Sequence, residues 1–327
     1  MSADVWEAAR DLLGDSGRVV VACHITPDAD ALGSAVALAL SLHARGREVV
    51  VSFGTDDAGW HVPDALRFLP GRELLAEPAS VLAGPPPALV VTTDTGSADR
   101  LGPLVPLLEQ AGAVLVVDHH ATNTRFGSVN LIEVSAASTT VVVAELVRAL
   151  DDRTDLMDAP IATCLYAGLV TDTGSFRFGA TTPDVHRLAA ELLEAGADPV
   201  SVGQHLFDTA TFAGVTLLGA AVARACLDER LVWTSVGFEE RTALGLPIAS
   251  IEGVIDVIRT AAEVDVAIVC KGVAAGQWSV SMRSRGATDV GAIAAALGGG
   301  GHRLAAGFTA RVATAEEAVA QVRAQLP

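Results

Sequence analysis

The segment RVVVACHITPDADALGS, residues 18–34, decides the fold of this chain. It opens with a continuous apolar run at residues 18–23, which is typical of a β-strand that is covered on both faces. A helical pattern begins at about residue 30 and continues to residue 44. Because a short polar connection joins the two, the segment predicts the first strand and helix of a βαβ unit.

The same alternation continues through the first half of the chain. Apolar runs predict three further strands, at residues 47–53, 88–94 and 113–118. Helical patterns lie near residues 103–111, 136–150 and 159–170. Strands that alternate with helices form mostly parallel sheets with helices on both faces, so residues 1–185 are predicted to form one α/β domain.

The second half of the chain has a different pattern. Residues 182–226 are helical without strands, and we interpret 186–226 as a helical connector. The rest alternates again, with strands predicted at 231–236, 264–273, 277–283 and 307–312. A helix at 289–297 and a glycine run at 298–301 precede the last of these strands. Residues 227–327 are therefore predicted to form a smaller mixed α/β domain.

The charge of the chain limits its partners. Its 22 basic and 39 acidic residues give a formal net charge of −17. Binding of long nucleic acid depends on many Lys and Arg contacts to phosphates, so long nucleic acid is an unsuitable partner. A short anionic substrate remains compatible with this charge if metal ions supply the positive field.

The cysteines and the apolar runs indicate a compartment. The four cysteines are far apart and form no CxxC pair, which predicts buried thiols in a reducing cytoplasm: Cys23, Cys164, Cys226 and Cys270. No basic segment followed by an apolar stretch opens the chain, and its longest apolar run is too short for a membrane span. We therefore expect a soluble cytoplasmic protein without a membrane partner.

Four clusters of acidic or histidine residues lie at the ends of predicted strands and helices. Their members are His24, Asp28, Asp30, Asp94, Asp118, His119, His120 and Asp172. Ligands of an open parallel sheet bind outside the carboxyl ends of its strands. Converging carboxylates repel each other unless a positive charge lies between them. An oxygen and nitrogen ligand set without thiolates suits Mn²⁺ or Mg²⁺, and the imidazoles favour Mn²⁺.

Each cluster alone also has a purely structural explanation. Asp28 or Asp30 could cap a helix, and Asp94 and Asp172, each followed by Thr-Gly, could form turns. A pair of adjacent histidines is often part of a surface or a core. The occurrence of all four clusters at the ends of the appropriate elements favours a metal site.

The motifs together resemble those of the DHH phosphoesterase family. The triplet Asp118-His119-His120 is its defining motif, and the segment from His24 to Gly33 and the motifs of Asp94 and Asp172 are similar to its other motifs. The run GGGGHRLAAG at 298–307, preceded by Arg-Ser-Arg at 283–285, resembles the DHH-associated substrate domain. Within the family, the chain is similar to the bacterial nanoRNases.

The resemblance implies two divalent metal ions, Mn²⁺ first, with Mg²⁺ or Co²⁺ as alternatives. It assigns His24, Asp28 and Asp94 to one ion. The other ion would be held by Asp30, Asp94, His119 and Asp172, so that Asp94 bridges the two. The catalytic candidates are Asp94, Asp118, which would orient an imidazole, and His120, which would contact the scissile phosphate. The active site is expected in the cleft between the two domains.

The second domain carries the predicted substrate contacts. Gly299, Gly300, Gly301 and His302 are expected to form a loop whose backbone N–H groups approach a phosphate or base. A merely flexible loop is the alternative. Arg283 and Arg285 alternate along one predicted strand, so both would point to the same face and bind phosphate. A solvated basic edge is the alternative for this pair.

The function implied by the resemblance is a metal-dependent phosphodiesterase and phosphatase. Such an enzyme hydrolyses short oligoribonucleotides (nanoRNA, pApA or related products of cyclic dinucleotides) to mononucleotides, and it dephosphorylates 3′-phosphoadenosine 5′-phosphate (pAp) to AMP. Its partners would be pAp, dinucleotides, nanoRNA and cyclic dinucleotides. A homodimer is considered only because of the family analogy.

Three other functions remain as alternatives. A single-strand-specific DNA exonuclease would need further nucleic-acid-binding domains and a less acidic chain. A manganese inorganic pyrophosphatase would lack the glycine–histidine run of the second domain. A non-enzymatic nucleotide sensor would be expected to have lost at least one metal ligand, and the motifs retain all of them.

Overall fold

The computed structural model describes residues 3–14, 17–54, 59–150 and 157–326. The chain divides into two compact units, Met1–Thr209 and Ala210–Pro327. The described strands of the first unit are β1 (Val19–Cys23), β2 (Val49–Phe53), β3 (Leu89–Thr93), β4 (Ala113–Asp118) and β5 (Val129–Ile132). Its described helices are α1 (Ala3–Gly14), α2 (Ala29–Ala44), α3 (Pro78–Leu82), α4 (Leu107–Gln110), α5 (Thr139–Leu150), α6 (Ala159–Asp172), α7 (Pro183–Glu194) and α8 (Pro199–Phe207).

The strands of the first unit form a parallel sheet in the order β2-β1-β3-β4-β5. Alternate side chains of β1 pack into two different hydrophobic cores, because successive side chains of a strand point to opposite faces of the sheet. Val19 and Val21 lie in a core with residues of α2, α5 and α6. Val20 lies in a second core with Leu101 and Leu104. The predicted parallel sheet with apolar cover on both faces is therefore confirmed.

The helix predicted near residues 103–111 is wrong in its extent. A 3₁₀ stretch, Ala98–Leu104, is interrupted at Gly102, whose φ is 56°, and the α-helix α4 begins only at Leu107. Pro103 lies near the end of the 3₁₀ stretch and Pro106 directly precedes α4, and proline cannot donate the backbone hydrogen bond of a helix interior. The helix α1 and the edge strand β5 were not predicted at all.

The second unit contains a mixed sheet. Its described strands are β6 (Cys226–Asp228), β7 (Leu231–Val236), β8 (Val266–Ala274), β9 (Gln277–Ser284), β10 (Gly300–His302) and β11 (Ala305–Ala310). Their order is β10-β11-β9-β8-β7-β6, and β7 and β8 are the parallel neighbours in it. The described helices are α9 (Phe212–Ala223), α10 (Phe238–Ala243), α11 (Val254–Ile258), α12 (Val290–Ala296) and α13 (Ala315–Arg323). The predicted second domain with a mixed sheet is confirmed.

The segment predicted as a connector, 186–226, is divided between the two units. Helices α7 and α8 belong to the first unit, because Leu188, Leu192 and Val202 are buried in its core. Helix α9 belongs to the second unit, where Leu217 and Ala221 are buried. The segment is helical, as expected, but each helix packs on a core rather than forming a separate connector.

The glycine run ends in a strand rather than a loop. Gly300 pairs with Gly307, and His302 pairs with Ala305, so β10 forms an edge of the sheet. A Cβ atom at Gly299 would lie 2.1 Å from the Gly307 carbonyl oxygen, so a side chain cannot be accommodated there. The glycines therefore permit the close approach of two strands. Gly300 and Gly301 lie in a strand rather than in the expected substrate loop, and the alternative of a merely flexible loop does not describe them either.

The cysteines are free thiols. Cys23, Cys164 and Cys270 are buried, as predicted, but Cys226 is exposed. It opens β6, the opposite edge of the second sheet, where all residues of the strand face solvent. No single helix in the described part of the chain has both the length and the apolarity needed to cross a membrane; only the bent pair Pro199–Phe207 and Phe212–Ala223 meets these criteria together.

Candidate metal centre

The carboxyl edge of the first sheet gathers the predicted ligands. His24 follows β1, Asp94 follows β3, and Asp118 ends β4, directly before His119 and His120. Two helices bring the other carboxylates to this edge. Asp30 lies in the first turn of α2, and Asp172 is the last residue of α6.

Asp28 has two contacts, one structural and one with the cluster. One oxygen, Oδ1, accepts a hydrogen bond of 2.9 Å from the Ala31 N–H, so Asp28 is the N-cap of α2. The other oxygen, Oδ2, lies 4.0 Å from Nε2 of His24. The capping explanation is therefore correct, and it leaves one oxygen of Asp28 directed at the cluster.

Asp94 lies at the centre of the cluster. Its Oδ2 is 3.8 Å from His24 Nε2, whereas its Oδ1 is 3.6 Å from His119 Nε2 and 3.5 Å from His120 Nδ1. Its φ of 51° lies in the left-handed region, which Asp enters more readily than most residues. Strained backbone of this kind persists where the surrounding structure holds it, often at functional sites.

The donor atoms form three groups among the described residues that could hold a metal ion. They are His24, Asp28 and Asp94; Asp30, His119 and Asp172; and Asp94, His119 and His120. The shortest of the cross-contacts joins His119 Nε2 to Asp172 Oδ2, at 3.3 Å, and the separation of His119 Nε2 from Asp30 Oδ2 is 4.0 Å. Two ligands that each lie about 2.1 Å from one ion are at most about 4.2 Å apart. These separations therefore fit ligands of a shared ion.

The concentration of buried carboxylates in the cluster also favours a bound cation. Burial, together with repulsion from Asp172 and Asp28, raises the pKa of Asp30 from 3.8 to about 7. Burial and the neighbouring carboxylates, Asp30 first, raise the pKa of Asp94 well above its usual value. Burial alone would lower the pKa of His119, but its bond to Asp172 and the nearby carboxylate charges raise it to about 9. Protons thus compensate the negative charge that a metal ion would otherwise neutralise.

Asp118 has a different environment from the other carboxylates. It is fully buried, and its Oδ1 accepts from the His119 N–H (2.8 Å), the His120 N–H (3.2 Å) and His120 Nδ1 (2.8 Å). Its Oδ2 accepts from Asn123 Nδ2 at 2.6 Å. Burial would raise the pKa of Asp118, but these bonds, that of His120 first, lower it. Asp118 therefore orients His120 and belongs to none of the three groups found among the described residues.

Three further residues, which the sequence patterns did not indicate, hold these carboxylates. Asn123 binds Asp118, as above, and also donates to the Thr95 carbonyl at 3.0 Å. Thr139 and Thr140, at the start of α5, donate to Asp30, and Thr139 also donates to Asp94. The Ser-Thr-Thr sequence at 138–140, before an apolar helix, is a signal for a helix start but not for these contacts.

The predicted substrate residues lie in the second unit. The register of β10, β11 and β9 places His302 opposite Ala305 and Ala305 opposite Arg283, so these side chains leave the sheet on one face. Arg283 is half-buried, burial lowers its pKa, and its Nη1 donates to the Met282 carbonyl. Since β9 ends at Ser284, Arg285 follows the strand, and the predicted alternation of the two arginines along it is wrong. Arg285 is exposed, and its Nη1 donates to the Ala261 carbonyl at 2.7 Å.

Both units match known domains. Residues 18–169 match the DHH family, N-terminal domain, and residues 243–326 match the DHHA1 domain. The chain is 34% identical to the bifunctional oligoribonuclease and PAP phosphatase NrnA of Thermus thermophilus, over 97% of this chain and 93% of that protein. It is 31% identical to the cyclic-di-AMP phosphodiesterase GdpP of Geobacillus thermodenitrificans over 98% of this chain, which spans about half (48%) of that longer protein.

Solved structures agree on the fold. An exopolyphosphatase-related protein from Bacteroides fragilis has a TM-score of 0.89 at 21% identity, with 99% of this chain and 95% of that chain covered. RecJ from Thermus thermophilus, solved in complex with Mn²⁺, has a TM-score of 0.60 at 17% identity, with 99% of this chain and 55% of the RecJ chain covered. The fold and the sequence matches together define a hydrolase of the phosphoesterase class. The chain belongs to the DHH family.

Proposed function

We propose that this chain uses two divalent metal ions to hydrolyse short oligoribonucleotides, such as pApA, to mononucleotides and to dephosphorylate pAp to AMP. The observation that carries the proposal is its 34% identity to a protein named for these two activities, along nearly the whole length of both chains. The Asp and His groups at the carboxyl edge of the first sheet supply the ligands that such chemistry requires.

In this proposal, His24, Asp28 and Asp94 hold one ion, and Asp30, Asp94, His119 and Asp172 hold the other. The donor set fits two dications, because four carboxylates carry the charge that the two ions neutralise. The two oxygens of Asp94 face different histidines, an arrangement that would suit a carboxylate shared by the two ions. Mn²⁺ is the proposed ion, since imidazole ligands favour it over Mg²⁺.

The ions, when bound, would neutralise charge on the phosphate and activate a water as the nucleophile. The chain itself would position and protonate the substrate. Because Nδ1 of His120 is bonded to Asp118, the ring nitrogen directed to a substrate is Nε2. We assign His120 to the scissile phosphate and the leaving oxygen rather than to a metal ion, although Asp94, His119 and His120 also form a compact group. Asp118 would keep the imidazole in this orientation.

The second unit is proposed to bind the rest of the nucleotide. Arg283 and His302 share one face of the sheet, and a guanidinium suits a phosphate because it offers donors in a fixed planar arrangement. Gly299, Gly300 and Gly301 would present backbone next to His302. Arg285 is assigned to this set from the family resemblance, although its side chain already bonds to a carbonyl of its own unit.

A cyclic dinucleotide is the second candidate substrate. The observation that favours it is the 31% identity to a cyclic-di-AMP phosphodiesterase over 98% of this chain. Because this chain spans only 48% of that protein, the activity of the whole protein is not transferred directly. A DNA exonuclease is less suited, since a net charge of −17 opposes long nucleic acid. We also propose a reducing cytoplasm as the compartment, because the cysteines are free.

The proposal is tested with a substrate panel of pAp, pApA, a five-nucleotide RNA, cyclic di-AMP, pyrophosphate and long single-stranded DNA. Each is assayed with chelator-treated protein before and after Mn²⁺ is added back. We expect Mn²⁺ to restore hydrolysis, with pAp and pApA cleaved fastest. Faster cleavage of long DNA would assign the chain to the exonucleases, and full activity without metal would contradict the two-metal mechanism. Light scattering of the purified protein tests the homodimer that the family suggests.

A further inference from the structure

Helix α5 begins against two of the most buried carboxylates of the cluster. Its first residue, Thr139, is fully buried, and so is Asp30, while Asp94 is 5% exposed. Thr139 N–H donates to Asp30 Oδ2 at 2.7 Å, and its hydroxyl donates to Asp94 Oδ1 at 2.8 Å. One residue therefore bonds to carboxylates that come from two different elements, α2 and the segment after β3.

The hydrogen bond from the Thr139 hydroxyl selects one orientation of the Asp94 carboxylate. An Asp carboxylate turns readily about its last side-chain bond, because that torsion has a broad, two-fold profile. A donor fixed at Oδ1 keeps that oxygen beside His119 and leaves Oδ2 beside His24. The donor itself is well fixed, since Thr is β-branched with a restricted χ1, and its backbone is anchored to Asp30.

The hydroxyl of the next residue, Thr140, has a different hydrogen-bond partner from that of Thr139. The Thr140 N–H donates to Asp30 Oδ1 at 2.8 Å, so both threonines hold Asp30 through the backbone. The Thr140 hydroxyl, however, bonds to the Ser138 hydroxyl at 2.6 Å, within the same helix start. Thr139 and Thr140 thus have the same side chain, nearly the same burial and the same backbone role, and differ in what their hydroxyls contact.

We propose that Thr139 is a positioning residue for the metal centre, whose hydroxyl holds Asp94 in the orientation that lets its two oxygens serve two ions. The inference rests on the metal-binding part of the proposed function and on none of its substrate assignments. Groups that bond to a metal ligand from outside the coordination sphere set its orientation and its basicity. A hydroxyl is suited to this task, because it donates to the carboxylate without adding a charge.

The test compares Thr139→Val with Thr140→Val, which removes the matched hydroxyl, and with Thr139→Ser, which keeps the donor. Mn²⁺ affinity and stoichiometry are measured by titration, with free Mn²⁺ detected by electron paramagnetic resonance. The exchange-coupled signal of two Mn²⁺ ions that share a ligand is recorded in the same samples. We expect Thr139→Val to weaken Mn²⁺ binding about 10- to 100-fold and to reduce the coupled signal, whereas Thr139→Ser and Thr140→Val stay within about threefold of the wild type.

Two results of this comparison would contradict the inference. Wild-type affinity and an unchanged coupled signal in Thr139→Val would overturn the inference, and so would equal losses in Thr139→Val and Thr140→Val. If Thr139→Val does not fold, Thr139→Ala and Thr140→Ala replace the pair in the same comparison. A wild-type protein that binds two Mn²⁺ ions but cleaves neither pAp nor pApA would refute the proposed substrates and leave this inference intact. A wild-type protein that binds no metal would refute both.

Discussion

The metal-free protein should lose stability as the pH rises from 5 to 8. Asp30 is fully buried, and its pKa is raised from 3.8 to about 7 in the folded protein. Between these values the folded state retains a proton that the unfolded state has released, so the free energy of unfolding decreases with pH. His119 acts in the same direction, because its stabilising charge is fully present below 6.5 and is lost as the pH rises through about 9.

The magnitude follows from the shift at Asp30. One pKa unit corresponds to about 1.4 kcal/mol, so the two units between pH 5 and pH 7 correspond to roughly 3 kcal/mol. In a unit of about 200 residues, each kcal/mol changes the melting temperature by about 2–4 °C, which gives a decrease of roughly 6–12 °C. The contribution of His119 is not simply additive, because its Nε2 lies 4.0 Å from Asp30 and the two groups titrate together.

The assay is thermal unfolding of chelator-treated protein at pH 5, 6, 7 and 8 and constant ionic strength. The pH slope of the melting temperature, rather than its value, is the readout. Asp30→Asn should flatten this slope, although it lowers stability at every pH because its amide faces two N–H donors. Added Mn²⁺ should stabilise the wild type more at pH 8 than at pH 5. A metal-free melting temperature that stays constant or rises with pH would refute the reasoning.

Three further predictions concern activity. Asp94→Asn should abolish turnover and reduce the number of bound Mn²⁺ ions, as measured by activity assay and Mn²⁺ titration. The exposed control Asp99→Asn should retain wild-type turnover and Mn²⁺ stoichiometry. Unchanged stoichiometry in Asp94→Asn would exclude Asp94 as a ligand shared by two ions. His120→Ala should lower kcat by about 10²- to 10⁴-fold without changing Mn²⁺ affinity, and a parallel loss of metal would make His120 a ligand instead. His302→Ala should lower kcat/KM for pApA by about 10- to 150-fold but affect bis-p-nitrophenyl phosphate much less; equal losses would place His302 in the chemical step.

The convergence of the proposed ligands at one edge of the sheet could be predicted, because each of them lies in a strong local pattern. His24 follows the apolar run at 18–23 and Asp94 ends the predicted strand at 88–94, and the carboxyl ends of neighbouring parallel strands meet at one edge. The sequence could not show which oxygen of Asp94 faces which histidine, since that depends on the packing of α5 against the sheet. Thr139 and Asn123 were missed for the same reason, because their contacts are made over long sequence separations or around a turn.

The errors in the fold have local causes. The helix expected near 103–111 contains Pro103 and Pro106 and follows the break at Gly102, and these residues confine the α-helix to the last turn of that range. The glycine run lies between a predicted helix and a predicted strand, which indicates a loop, yet here it allows β10 to pair closely with β11. The edge strands β5 and β6 contain only a few residues each, too short for an alternating pattern to be recognised.

Two glycines set the distance between the helices that carry Asp30 and Asp172. A Cβ atom at Gly33 of α2 would lie 2.5 Å from the Cys164 carbonyl oxygen of α6, and one at Gly168 of α6 would lie 2.8 Å from the Asp30 Cα. A single added methyl group would therefore move one carboxylate away from the other without altering any ligand. Mg²⁺ demands ligands at 2.0–2.1 Å in near-ideal octahedral geometry, and larger ions tolerate wider and less regular spacing. If the centre binds metal ions as proposed, its selectivity between ions of different radius would therefore depend in part on Gly33 and Gly168, because neither has a side chain that separates the two helices.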